Sequence, residues 1–347
     1  MIKRRSMIGS GAGGAALALG TAGLATPALA QQTFRLRLQS WTWPALEQHR
    51  AVQEWVQRVA QLTNNRLQIE LFAREAVVPH WEAPDAVSRG LLDATMEWPG
   101  NWAARDVGFN IFTPPPMTLD EGWQLDAWFY DRGALDQMRE AFAQHSVYIA
   151  GVTYWQKESL HSRRPLPNIQ ALRGMSVRTP QGIIADYFRR LGATPVVLPP
   201  TEVYGALERG VVDAAEFLTP SAHLSLGYQR VARYLLWPSP HQGLATIYVG
   251  FNRRSWDRLP PDIRAIVESS IREFSHAHAV RPLVSDFASL ARYREAGNVL
   301  VRWSDEDWAF ARRTSRDLYR EYGGQSRMAA RAIESLDSFL DVLGLAG

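Results

Sequence analysis

Residues 174–220 read GMSVRTPQGIIADYFRRLGATPVVLPPTEVYGALERGVVDAAEFLTP. A short apolar strand carrying one charge, Arg178, turns through Thr179, Pro180, Gln181 and Gly182. The spacing of Ile183, Ile184, Tyr187, Phe188 and Leu191 predicts a helix, with Gly192 at the C-cap position. Thr194–Leu198 reads as a second strand, Thr201–Arg209 as a second helix closed by Gly210, and Val211–Ala215 as a third strand running into Glu216, Phe217 and Pro220. Strand, helix, strand, helix, strand at these lengths is a parallel unit with helices packed over it. Ligands of such sheets bind beyond the carboxyl ends of the strands, and Arg178 and Glu216 both fall there. The two can face one cleft.

The same stretch resembles the solute-binding proteins of TRAP (tripartite ATP-independent periplasmic) transporters. The matching pieces are Gly174-Met-Ser-Val-Arg178, Tyr204 with Ala206, Leu207, Glu208 and Gly210, and Asp213-Ala-Ala-Glu-Phe-Leu-Thr-Pro220. The last piece is most similar to the branch that binds 2-oxo acids together with a metal ion. The resemblance runs from about Phe34 to Trp256 and is vaguer beyond. It implies an α/β two-lobe periplasmic binding protein, type II-like, each lobe a mixed sheet flanked by helices and joined by hinge strands.

The chain outside that stretch repeats its pattern. Phe34–Leu38 alternates like a strand, Leu46–Leu62 places Val52, Trp55, Val56 and Val59 on one helix face, and Arg66–Phe72 is a second strand. Ala83–Leu91 reads as a helix ending near Gly90, and Leu92–Trp98 as a third strand. A helix is expected over Asp120–Gln144, and hinge strands over Val147–Tyr154 and Ala245–Asn252. After Pro220 a helical segment is expected to Tyr234. Helical character follows from Pro261 to Glu295, then a strand, Val299–Trp303, and two closing helices. The expected division is an export signal over 1–30, lobe I over 31–153 and 244–283, and lobe II over 154–243 and 284–347.

Lys3, Arg4 and Arg5, the Gly/Ala/Leu-rich run from Met7, and Ala28-Leu29-Ala30 read as an export signal cut after Ala30. Arg4-Arg5-Ser6-Met7-Ile8 resembles a twin-arginine signal; the Sec route is the alternative, and either delivers the protein to the periplasm. The chain has 38 basic and 35 acidic side chains, and removing the three basic residues of the signal leaves 35 of each. A near-neutral mature protein gives no concentrated basic face for nucleic acid. With no cysteine, disulfides, thiolate metal sites and a Cys nucleophile are excluded. No Gly-x-Ser-x-Gly elbow and no His-Glu-x-x-His helix occurs, so an exported hydrolase or lyase is disfavoured.

The resemblance assigns Arg178 to the substrate carboxylate. A guanidinium can offer two parallel N–H donors, which Lys cannot match; a salt bridge to a neighbouring acid is the other role for such an Arg. The resemblance also implies a metal held by Gln156, Glu216 and the backbone carbonyl of Phe217, where the branch usually has Trp. It places an acid where this chain has Gln242. Counting Glu216, Arg178 and a monocarboxylate gives −1, which Na⁺ balances better than Ca²⁺ in a dry cleft; loss of the ion is the other outcome left open. Asn101 and Trp102, in the loop ending the third strand, are candidate ligand contacts, Trp102 at an aromatic position of the family's pocket. Trp98 serves the pocket or lobe packing, Tyr204 the ligand or helix–sheet packing, and Trp41 and Trp43 are weaker candidates.

The function implied is an extracytoplasmic TRAP receptor that captures a small organic acid, a 2-oxo or 2-hydroxy monocarboxylate, and delivers it to the membrane permease subunits. A sensor component for a membrane receptor is the alternative, and a homodimer is expected because the branch includes dimers.

Overall fold

The alternation at Phe34–Leu38 does form a strand, β1 (Phe34–Ser40), with Leu36 and Leu38 turned into the core. The computed structural model describes residues 32–241 and 243–345, so the export signal over 1–30 and Gln242 lie outside the described residues. β1 pairs in parallel with β2 (Leu67–Phe72) and β3 (Ala94–Glu97). Between them run α1 (Glu47–Leu62), burying Val52, Trp55 and Val59, and α2 (Ala83–Arg89). Gly90 ends α2 at φ +78°, a left-handed position that costs glycine nothing.

The expected helix over Asp120–Gln144 is broken in two. α3 (Gly122–Asp126) runs into a π turn at Ala127–Asp131, and α4 (Ala134–Ala143) starts afresh. Gly133 between them sits at φ +82°, where a helix cannot continue. Most of the expected apolar face, Trp128, Phe129, Leu135, Met138 and Phe142, is buried, while Trp123 stays exposed.

β4 (Val147–Trp155) leads into the second lobe, where β5 (Ser159–Ser162), β6 (Ser176–Thr179), β7 (Thr194–Val197) and β8 (Ala214–Phe217) follow. α5 (Ile183–Arg190) and α6 (Val203–Arg209) connect the last three, and β6 pairs in parallel with both β7 and β8. The third strand of this unit starts later than its apolar run suggests, so Glu216 and Phe217 are the last residues of the strand itself. Beyond it come α7 (Pro220–Ser225), β9 (Tyr234–Leu236), β10 (Ala245–Asn252) and α8 (Arg253–Asp257). The expected helix to Tyr234 therefore stops at Ser225, followed by Gly227 at φ +85°.

Among the described residues the strands form two mixed sheets, ordered β2-β1-β3-β10-β4 and, with β11 (Val299–Val301), β11-β9-β5-β8-β6-β7. The hinge strands β4 and β10 pair antiparallel along their length. α9 (Pro261–Glu295) is the third crossing. At 35 residues it is about 52 Å long, and it packs on α1 and β4 near one end and on α7 and β11 near the other. α10 (Asp305–Gly323), capped by Ser304 and Asp307, and α11 (Arg327–Val342) close the chain. No helix among the described residues is long and apolar enough to cross a membrane.

Candidate functional site

The parallel strands of both lobes send their carboxyl ends to one region: Ser40 into Trp41-Thr-Trp43, Phe72 into Arg74, Glu97 into Asn101, Arg178 and Thr179 into Gly182, and Glu216 into Phe217. Four side chains form a continuous stack there. The Arg74 guanidinium lies 4.8 Å from the Trp43 ring, Trp43 meets Phe217 edge-on at 6.2 Å, and the Arg178 guanidinium lies 5.1 Å from Phe217. Trp43 and Arg74 come from the first sheet's loops and Phe217 and Arg178 from the second sheet, so this stack bridges the lobes.

Arg178 is 4% exposed and held on two sides. Its Nε and Nη2 donate to the Leu198 carbonyl at 3.1 and 2.9 Å. Its Nη1 donates to the Glu216 carbonyl at 3.0 Å and to the Glu216 carboxylate at 3.1 Å. A guanidinium has five N–H groups, so four bonds leave about one, on Nη2, for a ligand. The salt bridge open to this Arg from the sequence is present, and the free two-pronged fork is not.

Glu216, 2% exposed, also places Oε2 2.9 Å from His241 Nε2, and the same nitrogen lies 3.0 Å from Glu158 Oε2. Burial would push the His241 imidazole down in pKa. Glu216, and then Glu158, outweigh burial and lift it to about 9, so His241 holds its proton between Glu216 and Glu158, whose own carboxyl is raised by burial and by Glu216. Burial likewise opposes ionisation of Glu216, but His241 and Arg178 hold its carboxyl below the usual range. These residues meet because the two hinge crossings are tied together: Trp237 Nε1 donates to the Lys157 carbonyl at 2.8 Å, and Ser239 N to the Glu158 carbonyl at 3.0 Å.

The first lobe contributes an opposing pair. Arg74, with a side chain 8% exposed, donates Nη1 to the Trp41 carbonyl at 3.3 Å and lies 3.8 Å from Glu75. Glu97 is 1% exposed; burial raises its carboxyl to about 7 against the pull of Arg74. Asn101 Nδ2 donates to Glu97 Oε2 at 2.9 Å. His80, bonded to Glu75 at 2.9 Å, is driven down to about 4 by burial and by Arg74, and is neutral.

The other candidates are placed as follows. Trp102 is 0% exposed, packed at tilted and edge-on angles among Phe109, Phe142 and His145, with its indole N–H on Tyr248 at 2.8 Å, inside the lobe core. Trp41 packs edge-on against Trp155 at 4.3 Å. Tyr204 packs on Tyr228 at 5.8 Å. Gln156 is buried and lines a separate groove of about 760 Å³ with Tyr154, Trp237, Phe287 and Trp303. The structure thus gathers Arg178, Glu216, Phe217 and, through Glu97, Asn101. It adds Arg74, Glu97, Glu158 and His241, which sequence reasoning passed over as site residues. For Arg74 a signal existed: it stands just past the end of β2, where the strand-end rule applies as it does to Arg178.

The family model of the bacterial extracellular solute-binding protein, family 7, matches residues 42–325. The chain is 28% identical over 284 residues to a monocarboxylate 2-oxoacid-binding periplasmic protein of Nostoc sp., covering 81% of this chain and 77% of that one. A TRAP transporter solute-binding protein of Bordetella bronchiseptica, a dimer with calcium and picolinate in one site, superposes with a TM-score of 0.83 at 24% identity, over 90% of this chain and 93% of that one. One from Pseudoalteromonas atlantica, with sodium and pyruvate bound, gives 0.80 at 22% identity, over 90% and 95%. These two establish the shared two-lobe fold. With its order of strands, its hinge crossings and a family match across most of its length, the chain belongs to the bacterial extracellular solute-binding protein family 7, the solute-binding proteins of TRAP transporters, and is a transport receptor rather than an enzyme.

Proposed function

We propose that this protein captures a small monocarboxylate bearing an oxygen function next to the carboxylate, a 2-oxo or 2-hydroxy acid, between its lobes, and hands it to the permease. The observation that carries this is Arg178, buried at the end of β6 with one N–H left over and stacked through Phe217 and Trp43 onto Arg74. Arg178, Arg74 and His241 face Glu216 and Glu75, while burial raises the Glu158 and Glu97 carboxyls, so the region carries little net charge. One added carboxylate is tolerated there better than two in surroundings of low dielectric. The Nostoc relative, described as binding monocarboxylate 2-oxoacids, agrees with that class. Domain limits of 31–153 with 244–283 and 154–243 with 284–347 put the lobe boundaries next to the two strand crossings, and a periplasmic location by the twin-arginine route completes the proposal.

A cation bound with the ligand is supported by the sodium and calcium found in the two structural neighbours. The preference for Na⁺ rested on Glu216 as the sole acid, and Glu158 now stands beside it. The ligand atoms of Glu158, Glu216 and His241 lie within 4.8 Å of one another, so they fit around one ion. These three would hold it, and the ion would supply positive charge against the ligand carboxylate. His241 must first give up the proton that now bridges the two carboxylates, so ion and proton compete for one place.

The test is isothermal titration of pyruvate, lactate, succinate, glucose and ethanolamine into the mature protein, in sodium-free, sodium and calcium buffers. Monocarboxylates are expected to bind and the neutral and cationic compounds to fail. Tight binding of glucose or ethanolamine alone overturns the proposal, and equal affinities in all three buffers remove the ion from it.

A further inference from the structure

Among the buried polar atoms without a partner at the first lobe's strand ends, beside the indole nitrogens of Trp41 and Trp98, are Arg74 Nε and Glu97 Oε1. Both belong to charged side chains at strand ends, and each is more than nine-tenths buried. Asn101 Nδ2 holds Glu97 by Oε2, which fixes the carboxylate with Oε1 as the open oxygen. The Trp41 carbonyl holds Arg74 by Nη1 while Nε has only Glu75 at 3.8 Å, beyond hydrogen-bond reach. Buried donors and acceptors are paired in native proteins almost without exception, and a charged group left unpaired is the costliest case.

The chemistry of the pair selects what can satisfy it. At pH 8, above the value of about 7 to which burial raises Glu97, its carboxyl is ionised, and a ketone or aldehyde oxygen accepts from Arg74 but gives nothing to Glu97. A second carboxylate does the same and adds like charge beside Glu97. An ammonium group donates to Glu97 but offers no lone pair to Arg74. A hydroxyl does both, since it is one donor and two acceptors on one atom.

We propose that Glu97 and Arg74 form a hydroxyl-reading subsite, positioned by Asn101, so that among small carboxylic acids this receptor selects hydroxy acids over oxo acids of the same skeleton. This rests on the capture of a carboxylate at Arg178 and deepens it: the second lobe holds the anion, and the first lobe reads the group beyond it. Sites built to bond a hydroxyl reject the analogue that lacks it strongly, because their own buried groups are then left unpaired. Burial raises the Glu97 carboxyl even against Arg74 and the donors it already has, as for an acid held away from solvent.

The experiment is competitive titration at pH 8 with matched pairs: lactate (both enantiomers) and pyruvate, 2-hydroxy-4-methylpentanoate and 4-methyl-2-oxopentanoate, 3-hydroxybutyrate and acetoacetate. At least one hydroxy acid is expected to bind ten-fold or more tightly than its oxo partner. In Glu97→Gln the amide can turn its NH₂ toward the ligand and donate to a carbonyl, so the preference is expected to shrink to three-fold or less or to reverse. Oxo acids binding as well as or better than their partners in every pair overturn the subsite while leaving Arg178 capture intact. A wild-type preference that Glu97→Gln leaves unchanged overturns the assignment to Glu97. Failure of every acid to bind overturns both the subsite and the capture it rests on.

Discussion

Replacing Arg178 with Lys keeps the charge and removes the fork, and the structure says what each part is worth. The guanidinium spans two anchors, the Leu198 carbonyl on one edge and Glu216 on the other. An ammonium is a single point with three donors and cannot reach both. Two charge-assisted bonds from the guanidinium to the Leu198 carbonyl are then lost, at about 1.5–3 kcal/mol each, so the unliganded protein should lose about 3–6 kcal/mol of stability. Because the charge beside Glu216 survives, the further penalty of an uncompensated buried carboxylate, about 3–5 kcal/mol, applies to Arg178→Ala and not to Arg178→Lys. For the ligand, the missing Nη2–H is a charge-assisted bond worth about 1.5–3 kcal/mol, or roughly 10- to 150-fold in affinity. Urea unfolding of the unliganded variants gives the first number, and isothermal titration with the best-binding acid gives the second. Arg178→Lys binding that acid at wild-type strength would refute the assignment, since no other change would then be attributable to the lost donor.

Three further outcomes follow from neighbouring geometry. His241→Gln removes the cation between Glu158 and Glu216 and should cost about 3–5 kcal/mol, read as a drop in the urea midpoint; a change below 1 kcal/mol would mean the two carboxylates do not depend on it. His161 and His278 are buried and depressed to about 3 and about 4, so the unfolded chain takes up their protons first as pH falls. The contribution of these two histidines is therefore complete above about pH 6.5, the ordinary His value, and should be lost steadily toward pH 4. His161→Gln and His278→Gln should flatten that decline in urea unfolding between pH 7 and pH 4. Gly182 sits at φ +85°, ψ −146°, and an added Cβ would come within 2.7 Å of Asn110 Oδ1. Gly182→Ala should cost about 1–3 kcal/mol, whereas Gly174→Ala, with nothing within 4 Å, should carry only the strain of its φ; thermal unfolding separates the two.

How much of this was legible in the residues depends on the range of the interaction. The strand–helix alternation of both lobes, the hinge strands and Arg178 with Glu216 are local signals, set by periodicity, by glycines at helix ends and by position at a strand end. β5 and β9 were not, because Ser159–Ser162 and Tyr234–Leu236 are too short and, in β5, too polar to show a period; neighbouring strands define them. Glu158 and His241 carried no site signal in the sequence. They meet through bonds between segments 80 residues apart, which no spacing rule reaches. Trp102 shows the converse: an aromatic in a strand-end loop suits a pocket, yet Tyr248 on β10 supplies its N–H partner and the lobe core takes the ring. Gln156 and Gln242 rested on resemblance alone; the first lines the groove beside Trp237, and the second lies outside the described residues.

A crystal structure of the mature protein with the monocarboxylate that binds best measures the central claim directly. The ligand carboxylate is expected within about 3 Å of Arg178 Nη2, the distance of a charge-assisted hydrogen bond, with both lobes in contact with the ligand and Arg74 and Glu97 beyond it. A ligand seated in the groove lined by Trp237 and Phe287, with Arg178 still enclosed by Leu198 and Glu216 and touching nothing else, would contradict it.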